Sequence, residues 1–264
     1  MEIEKMKTRG KYLTSTALKV IAVILMVFDH IHQMWALNGA PVWLTWLGRP
    51  VFPIFLFVMS ESFHYTHNRK RLMLRLLLAS LLMSVINMLV PTFLPNENIV
   101  LMNNAFSTFF MATLYMLFWD LLTEGIKAKQ KKKILLAIVV FIVPILTAVP
   151  TLLLTAMDPP PMWLVRALLL VPNIMMVEGG FLMVVLGLLF YVFRGKHRIQ
   201  ILVLAAVAAI TWFAGSTSFQ WMMVFAAIPI YFYNGERGRG MKNFFYIFYP
   251  AHIYLLYIIA TLTQ

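Results

Sequence analysis

The chain has 264 residues, 61% of them hydrophobic and 12% charged, about half the charge of a soluble domain. Apolar runs of about 17–25 residues recur, each able to cross a bilayer core of about 30 Å, so the composition excludes a soluble globule and predicts an all-α, polytopic integral membrane protein. No cysteine is present, which excludes disulfides and thiolate metal sites, and the net charge of +12 has to be read through its distribution.

Segment 1–16 is basic and leads into an apolar stretch of span length with no clear small-x-small cleavage site. It reads as a cytoplasmic N-terminal segment before an uncleaved first span. Apolar runs and breaks then predict nine spans, at about 17–37, 45–63, 72–90, 105–122, 134–156, 176–193, 199–215, 219–233 and 243–262. Together they form a single transmembrane domain over 17–262. Residues 162–193 are too long for one span and too short for two. The stretch before the sixth span, near 162–176, carries Pro172 and is followed by Gly179-Gly180, which marks a re-entrant or interfacial segment.

Of the 22 Lys and Arg residues, 20 fall on alternate loops: Lys5 to Lys19, "NRKRLMLR", "KAKQKKK", "RGKHR" and "NGERGRGMK". The loops between them, "NGAPVW", "PTFLPNENIV", "MDPPP" and "AGSTS", carry none. The basic face is therefore cytoplasmic, with the N-terminus inside and the C-terminus outside. The positive charge reports topology and anionic headgroups, and nucleic acid is not expected. Two arginines break the pattern, Arg49 at the outer end of the second span and Arg166 in the odd outer segment. Two acids, Asp29 and Glu178, lie at similar depth. Arginine at that level needs a partner or a wet cavity, so the four predict a polar chamber opening outward or, more simply, ion pairs between helices.

The first span carries "FDHIH" over residues 28–32. Counted at 1.5 Å per residue from Leu18, His30 lies about 18 Å in, just past the midplane. His252, two residues after Pro250, reaches similar depth from Asn243, and the proline lets its helix bend. Two imidazoles meeting there would handle protons near neutral pH; each alone would only hydrogen-bond a neighbouring helix. Asp29 points about 100° away from His30 on the same helix, so it pairs with Arg49 or reaches another span. Lys19, eleven residues before His30, points the same way about 16 Å away. A cation at the membrane surface and a reactive group beyond the midplane suit a long donor with phosphates at one end, and coenzyme A has that shape. Glu61, at the inner end of the second span, is followed by Arg69, Lys70, Arg71 and Arg75, which can also serve phosphate. His64 and His67 lack a fixed carboxylate partner, so no metal site is expected. No G-x-S-x-G elbow, P-loop, H-E-x-x-H or Rossmann glycine run is present.

On "LKVIAVILMVFDHIHQMW", "LGRPVFPIFLFVMSESFHYTHNRKRLMLRLLL", "VEGGFLMVVLGLLFYVFR" and "YNGERGRGMKNFFYIFYPAHIYLLYII" the chain resembles the TraX family of bacterial membrane proteins, from about residue 17 to 260. That family takes its name from the protein that N-acetylates F-pilin. The Lys19-to-His30 spacing is also similar to the Arg-x10-His signature of membrane acyltransferases that acetylate surface glycans, with lysine in place of arginine. Ser62 and Tyr65 depart from the family pattern near 61, His64 falls one residue early, and "SVINM" at 84–88 lacks the family's acid. The resemblance therefore carries over His30, His252, Arg49 and Glu61, but not His64.

The resemblance implies an acetyl-CoA-dependent membrane acyltransferase in the inner (cytoplasmic) membrane. Its acceptor would be an amine or hydroxyl on a pilin-like N-terminus, a peptide or a glycan, met at the membrane or its outer side. In that reading His30 is the base, Asp29 and His252 orient it or take a second proton step, and Arg49 stabilises charge. Lys19, Arg69, Lys70 and Arg75, with Glu61 beside them, hold the donor, and Arg166 and Glu178 line the acceptor's entry. Transient acetylation of His30 is an alternative route. The rival class is a secondary transporter or proton-coupled carrier, which also uses midplane ionisable groups and broken helices.

Overall fold

The computed structural model describes residues 12–215 and 219–263. Residues 1–11 of the expected N-terminal segment 1–16 therefore lie outside the described residues, as does most of the "AGSTS" loop. Helix accounts for 76% of the described residues. Among the described residues no strand forms, and one isolated bridge joins Leu13 to Tyr233. The all-α expectation holds.

The helices in chain order are α1 (Ser15–Trp35), α2 (Trp43–Gly48), α3 (Val51–Tyr65), α4 (Arg69–Phe93), α5 (Ala105–Lys127), α6 (Lys131–Leu146), α7 (Val149–Thr155), α8 (Met162–Leu170), α9 (Phe181–Val192), α10 (His197–Ala214), α11 (Ala227–Tyr231) and α12 (Lys242–Thr263). A 3-10 helix, Phe219–Ala226, leads into α11. Local chemistry sets several ends. Thr14 caps α1 by accepting from Ala17 N–H, Asn68 caps α4 through Arg71 N–H, and Asn104 caps α5 through Ser107 N–H. Arg49 and Pro50 break α2 from α3, because a proline cannot supply the N–H that continuation needs.

Seven helical segments among the described residues are long and apolar enough to cross a membrane: Ser15–Asn38, Trp43–Tyr65, Arg69–Phe93, Ala105–Lys127, Lys131–Leu154, His197–Ala214 and Asn243–Thr263. On several of them large apolar side chains face outward, Leu74, Leu78, Leu82 and Leu89 on α4 and Leu135, Ile138, Phe141 and Ile142 on α6 among them. A water-soluble helix would bury such a surface. The chain is a multi-pass membrane protein. The other two expected spans are the shorter Phe181–Val192 and Phe219–Tyr231. The first begins five residues later than the apolar run suggests. Gly179 and Gly180 both take positive φ, +77° and +75°, and a right-handed helix cannot run through them. Upstream, Asn173 Oδ1 accepts from Met175 and Met176 N–H, which holds the chain in a turn.

Two compact units divide the chain. The first comprises Met1–Val58 and Phe193–Gln264; in it α1 packs against α2 and α12, and α10 against the 3-10 helix and α11. The second is Met59–Val192, where α5 lies against α4, α6 and α9. Met111, Tyr115, Val177 and Val184 form a buried cluster there, with Phe110, Phe118 and Leu188 packed on it.

Candidate functional site

The first unit carries a histidine pair. On α1 the buried residues Leu18, Ala22, Met26, His30 and Met34 recur every fourth position, so His30 belongs to the helix's inward stripe. Its Nδ1 lies 2.7 Å from His252 Nε2 on α12, and the two rings stack with centroids 4.9 Å apart. His252 Nδ1 lies 2.7 Å from the carbonyl oxygen of Phe248, and the Phe248 ring stacks on the imidazole at 4.8 Å.

The carbonyl fixes the protons. A carbonyl oxygen only accepts, so His252 Nδ1 carries the hydrogen. In neutral His252 the lone pair is then on Nε2, where it accepts from His30 Nδ1–H. In neutral His30 the remaining lone pair is therefore on Nε2. One backbone oxygen thus sets the tautomers of both rings. What results is a buried imidazole with a lone pair on Nε2, hydrogen-bonded through Nδ1 to a second imidazole.

Asp29 turns the other way, as the helical 100° step requires. Its Oδ1 accepts from Arg49 Nη2 at 2.7 Å and from the Thr45 hydroxyl at 2.8 Å. Arg49 also donates from Nε to Thr45 O, from Nη2 to Thr45 Oγ1 and from Nη1 to Gln220 Oε1. The guanidinium sits in the α2–α3 break, tied to α1 by a charge and to the 3-10 helix by an amide. Gly48 makes room for this, since a Cβ there would collide with Asp29 Cβ and Cγ. At the opposite end of α1, Lys19 Nζ lies over the Phe245 ring of α12 at 5.3 Å. The contacts Lys19–Phe245 and His30–His252 follow in the same order along both helices, so α1 and α12 run parallel and start from one face.

In the second unit Arg69 Nη1 donates to Asp120 Oδ2 at 2.6 Å. Its Nη2 donates to Tyr191 OH and its Nε to Phe63 O, while Tyr191 OH donates to Asp120 at 2.6 Å. This joins the starts of α4 and ends of α5 and α9. Lys70 is exposed and Arg75 half-buried on α4, Glu61 is buried on α3, and Arg166 lies on α8. Glu178 Oε2 accepts the Asn104 N–H at 2.6 Å and its backbone oxygen accepts from Thr108. A carboxylate at the N-terminus of α5 complements that helix's dipole.

The structure brings together His30 with His252 and Asp29 with Arg49. Thr45, Gly48, Gln220, Asp120 and Tyr191 are partners that the sequence reading missed. Asp120, an acid in "LFWDLL", was the one detectable by its charge. Among the described residues no three His, Asp or Glu side chains gather to hold a metal.

Fold and site define a multi-pass helical membrane protein whose first helix pairs His30 with His252 of α12 and Asp29 with Arg49 of the α2–α3 break. The sequence profile described as TraX protein matches residues 14–260, nearly the whole chain. This protein belongs to the TraX family. No curated protein and no solved structure matches it.

Proposed function

We propose that this chain is a nine-span membrane acyltransferase, one catalytic domain over 17–262. It transfers the acetyl group of cytoplasmic acetyl-CoA to an amine or hydroxyl on a pilin-like N-terminus, peptide or glycan at the membrane or its outer side. Family membership supports the class. The observation that carries the chemistry is the Phe248–His252–His30 chain of hydrogen bonds.

In this reading the acceptor's nitrogen or oxygen attacks the thioester carbonyl, and His30 Nε2 takes the proton the acceptor loses. The carbon–sulfur bond then breaks, and the coenzyme A thiolate leaves and is protonated. His252 accepts part of the charge that His30 gains and, through Phe248, keeps its lone pair aimed. Arg49, with its position set by Asp29, offsets negative charge developing on the carbonyl oxygen. Lys19 is the proposed donor-binding cation of the first unit, and Lys70 and Arg75 are those of the second; Arg166 and Glu178 are the proposed residues of the acceptor's entry. Arg69 has the weakest claim to the donor, because its guanidinium is occupied by Asp120. The basic face is cytoplasmic, the C-terminus is outside, and the membrane is the inner one.

The test uses purified protein in nanodiscs with labelled acetyl-CoA. His30→Ala is expected to fold, to bind acetyl-CoA like the parent, and to lose transfer by about 10²–10⁴-fold, the range of a general base. Near-normal transfer by that variant sinks the mechanism. If His252→Ala alone abolishes transfer, the base moves to His252. Binding of no acetyl-CoA together with proton-coupled uptake of a solute would place the protein among carriers instead.

A further inference from the structure

We infer that the loop 233–240, "YNGERGRG", forms with Lys19 the site for the phosphate groups of the nucleotide end of the donor, with Arg237 and Arg239 as its contributors. The inference rests on the acyl-CoA reading above and assigns cations outside the α4 group.

The loop is strapped to the start of α1. Leu13 N–H donates to Phe232 O and Asn234 N–H to Leu13 O, both at 3.0 Å. Ser15 N–H donates to Glu236 O at 2.8 Å and Thr16 N–H to Arg237 O at 3.2 Å. The Thr16 hydroxyl lies 2.9 Å from Arg237 O and 2.7 Å from Arg239 O. Gly238 takes φ +73° and passes so near Thr14 that a Cβ would strike its side chain. The carbonyls of 236, 237 and 239 are thus turned toward the helix, while Arg237 and Arg239 are exposed. The loop's one acid, Glu236, receives the Asn234 amide at 3.2 Å.

Positive-inside topology needs cations near the surface but not a fastened loop. Here the fastening sets register. Thr16, which holds both arginine carbonyls, is one turn before Lys19, and Lys19 is on the line of His30, about 16 Å further along. At its other end the loop runs directly into α12, where Phe245 carries Lys19 and His252 meets His30. Three cations are therefore gathered at the common start of the two helices that hold the histidine pair. An extended pantetheine arm is of the right order to span that distance. The ligand chemistry is a diphosphate with a further phosphomonoester, which clustered guanidinium groups bind through paired hydrogen bonds.

The experiment is calorimetric titration of coenzyme A into full-length protein in nanodiscs of zwitterionic lipid. Arg237→Gln/Arg239→Gln is expected to weaken coenzyme A about tenfold or more, to leave turnover of acetyl-pantetheine unchanged, and to lose discrimination against 3′-dephospho-coenzyme A. Photolabelling of the parent with an azido-adenine coenzyme A should mark the 233–240 peptide, a readout that needs no folded variant. If the parent binds coenzyme A and the double variant binds it equally well, the inference is overturned and the acyltransferase reading stands. If the parent binds none, both fall. Loss of binding to phosphatidylglycerol vesicles with coenzyme A affinity intact would assign the arginines to lipid headgroups, against the inference.

Discussion

Gly48 leaves Asp29 its place. A Cβ there would land on the carboxylate's own carbons, so Gly48→Ala has to push Asp29 away from Arg49 and Thr45. Overpacking of this kind costs about 1–3 kcal/mol. The variant should unfold at lower temperature in detergent and lose activity together, whereas Gly215→Ala, with open space around it, should match the parent. Equal midpoints for the two would refute the crowding argument. The ion pair is separately measurable. Asp29 and Arg49 are each about a quarter exposed, so the pair is partly desolvated. A double-mutant cycle with Asp29→Asn and Arg49→Gln should give a coupling energy in the range of about 0.5–3 kcal/mol; simple additivity would reject the pairing. This pair was legible in the sequence because an unmatched charge inside a span is costly and its partner must lie at the same depth. The histidine pair was legible by the same counting. Thr45, Gln220 and Gly48 were not, because a neutral polar group or a missing side chain advertises no cost until the neighbouring helix is placed beside it.

Among the elements, α4 shows a cation whose place in the sequence does not fix its role. Arg69 belongs to a run of cations that looks like a phosphate site, yet its guanidinium is fixed by Asp120, Tyr191 OH and Phe63 O. Position in a loop cannot distinguish a cation that greets a ligand from one that ties helices. The distinction depends on an acid fifty-one residues away. Arg69→Gln is accordingly expected to lower stability, by about 1.5–3 kcal/mol for a hydrogen-bonded charge, with the KM for acetyl-CoA little changed. A raised KM at unchanged stability would return Arg69 to the donor site. Helix α9 gives the complementary lesson. Its apolar run is continuous from Ile174, apart from Glu178 and the two glycines, so hydropathy extends the span upstream. The backbone decides otherwise, since the Asn173 turn and positive φ at Gly179 and Gly180 hold residues 173–180 out of the helix.

For the molecule as a whole the number of crossings turns on the two shorter apolar segments, Phe181–Val192 and Phe219–Tyr231. Among the described residues seven segments have the length to cross unaided. Phe181–Val192, with 12 residues, rises about 18 Å against a hydrocarbon core of about 30 Å. The remainder would have to come from the irregular chain before it, which is tolerated at membrane depth only when buried in protein. Of that stretch Asn173 and Val177 are buried, whereas Met175, Met176 and Gly179 are exposed, so protein covers only part of it. The second short segment is helped by its geometry: eight residues of 3-10 helix rise about 2 Å each, so Phe219–Tyr231 covers about 23 Å, more than an α-helix of equal length. Counting crossings experimentally is direct because the natural chain has no cysteine. Single cysteines at Ala40, Asn96 and Asp158 should react with an impermeant maleimide added to intact cells. Cysteines at Lys129, Lys196 and Gly235 should react only after the membrane is opened. Lys196 is the deciding position. If α9 does not cross, Lys196 and Asp158 share a side, and labelling of Lys196→Cys from outside would reduce the count. It would also reverse the sides assigned to the 233–240 loop and to the start of α12, unless Phe219–Tyr231 also fails to cross. In that case seven crossings would return the loop to the cytoplasm, and labelling at Gly235 separates the two arrangements.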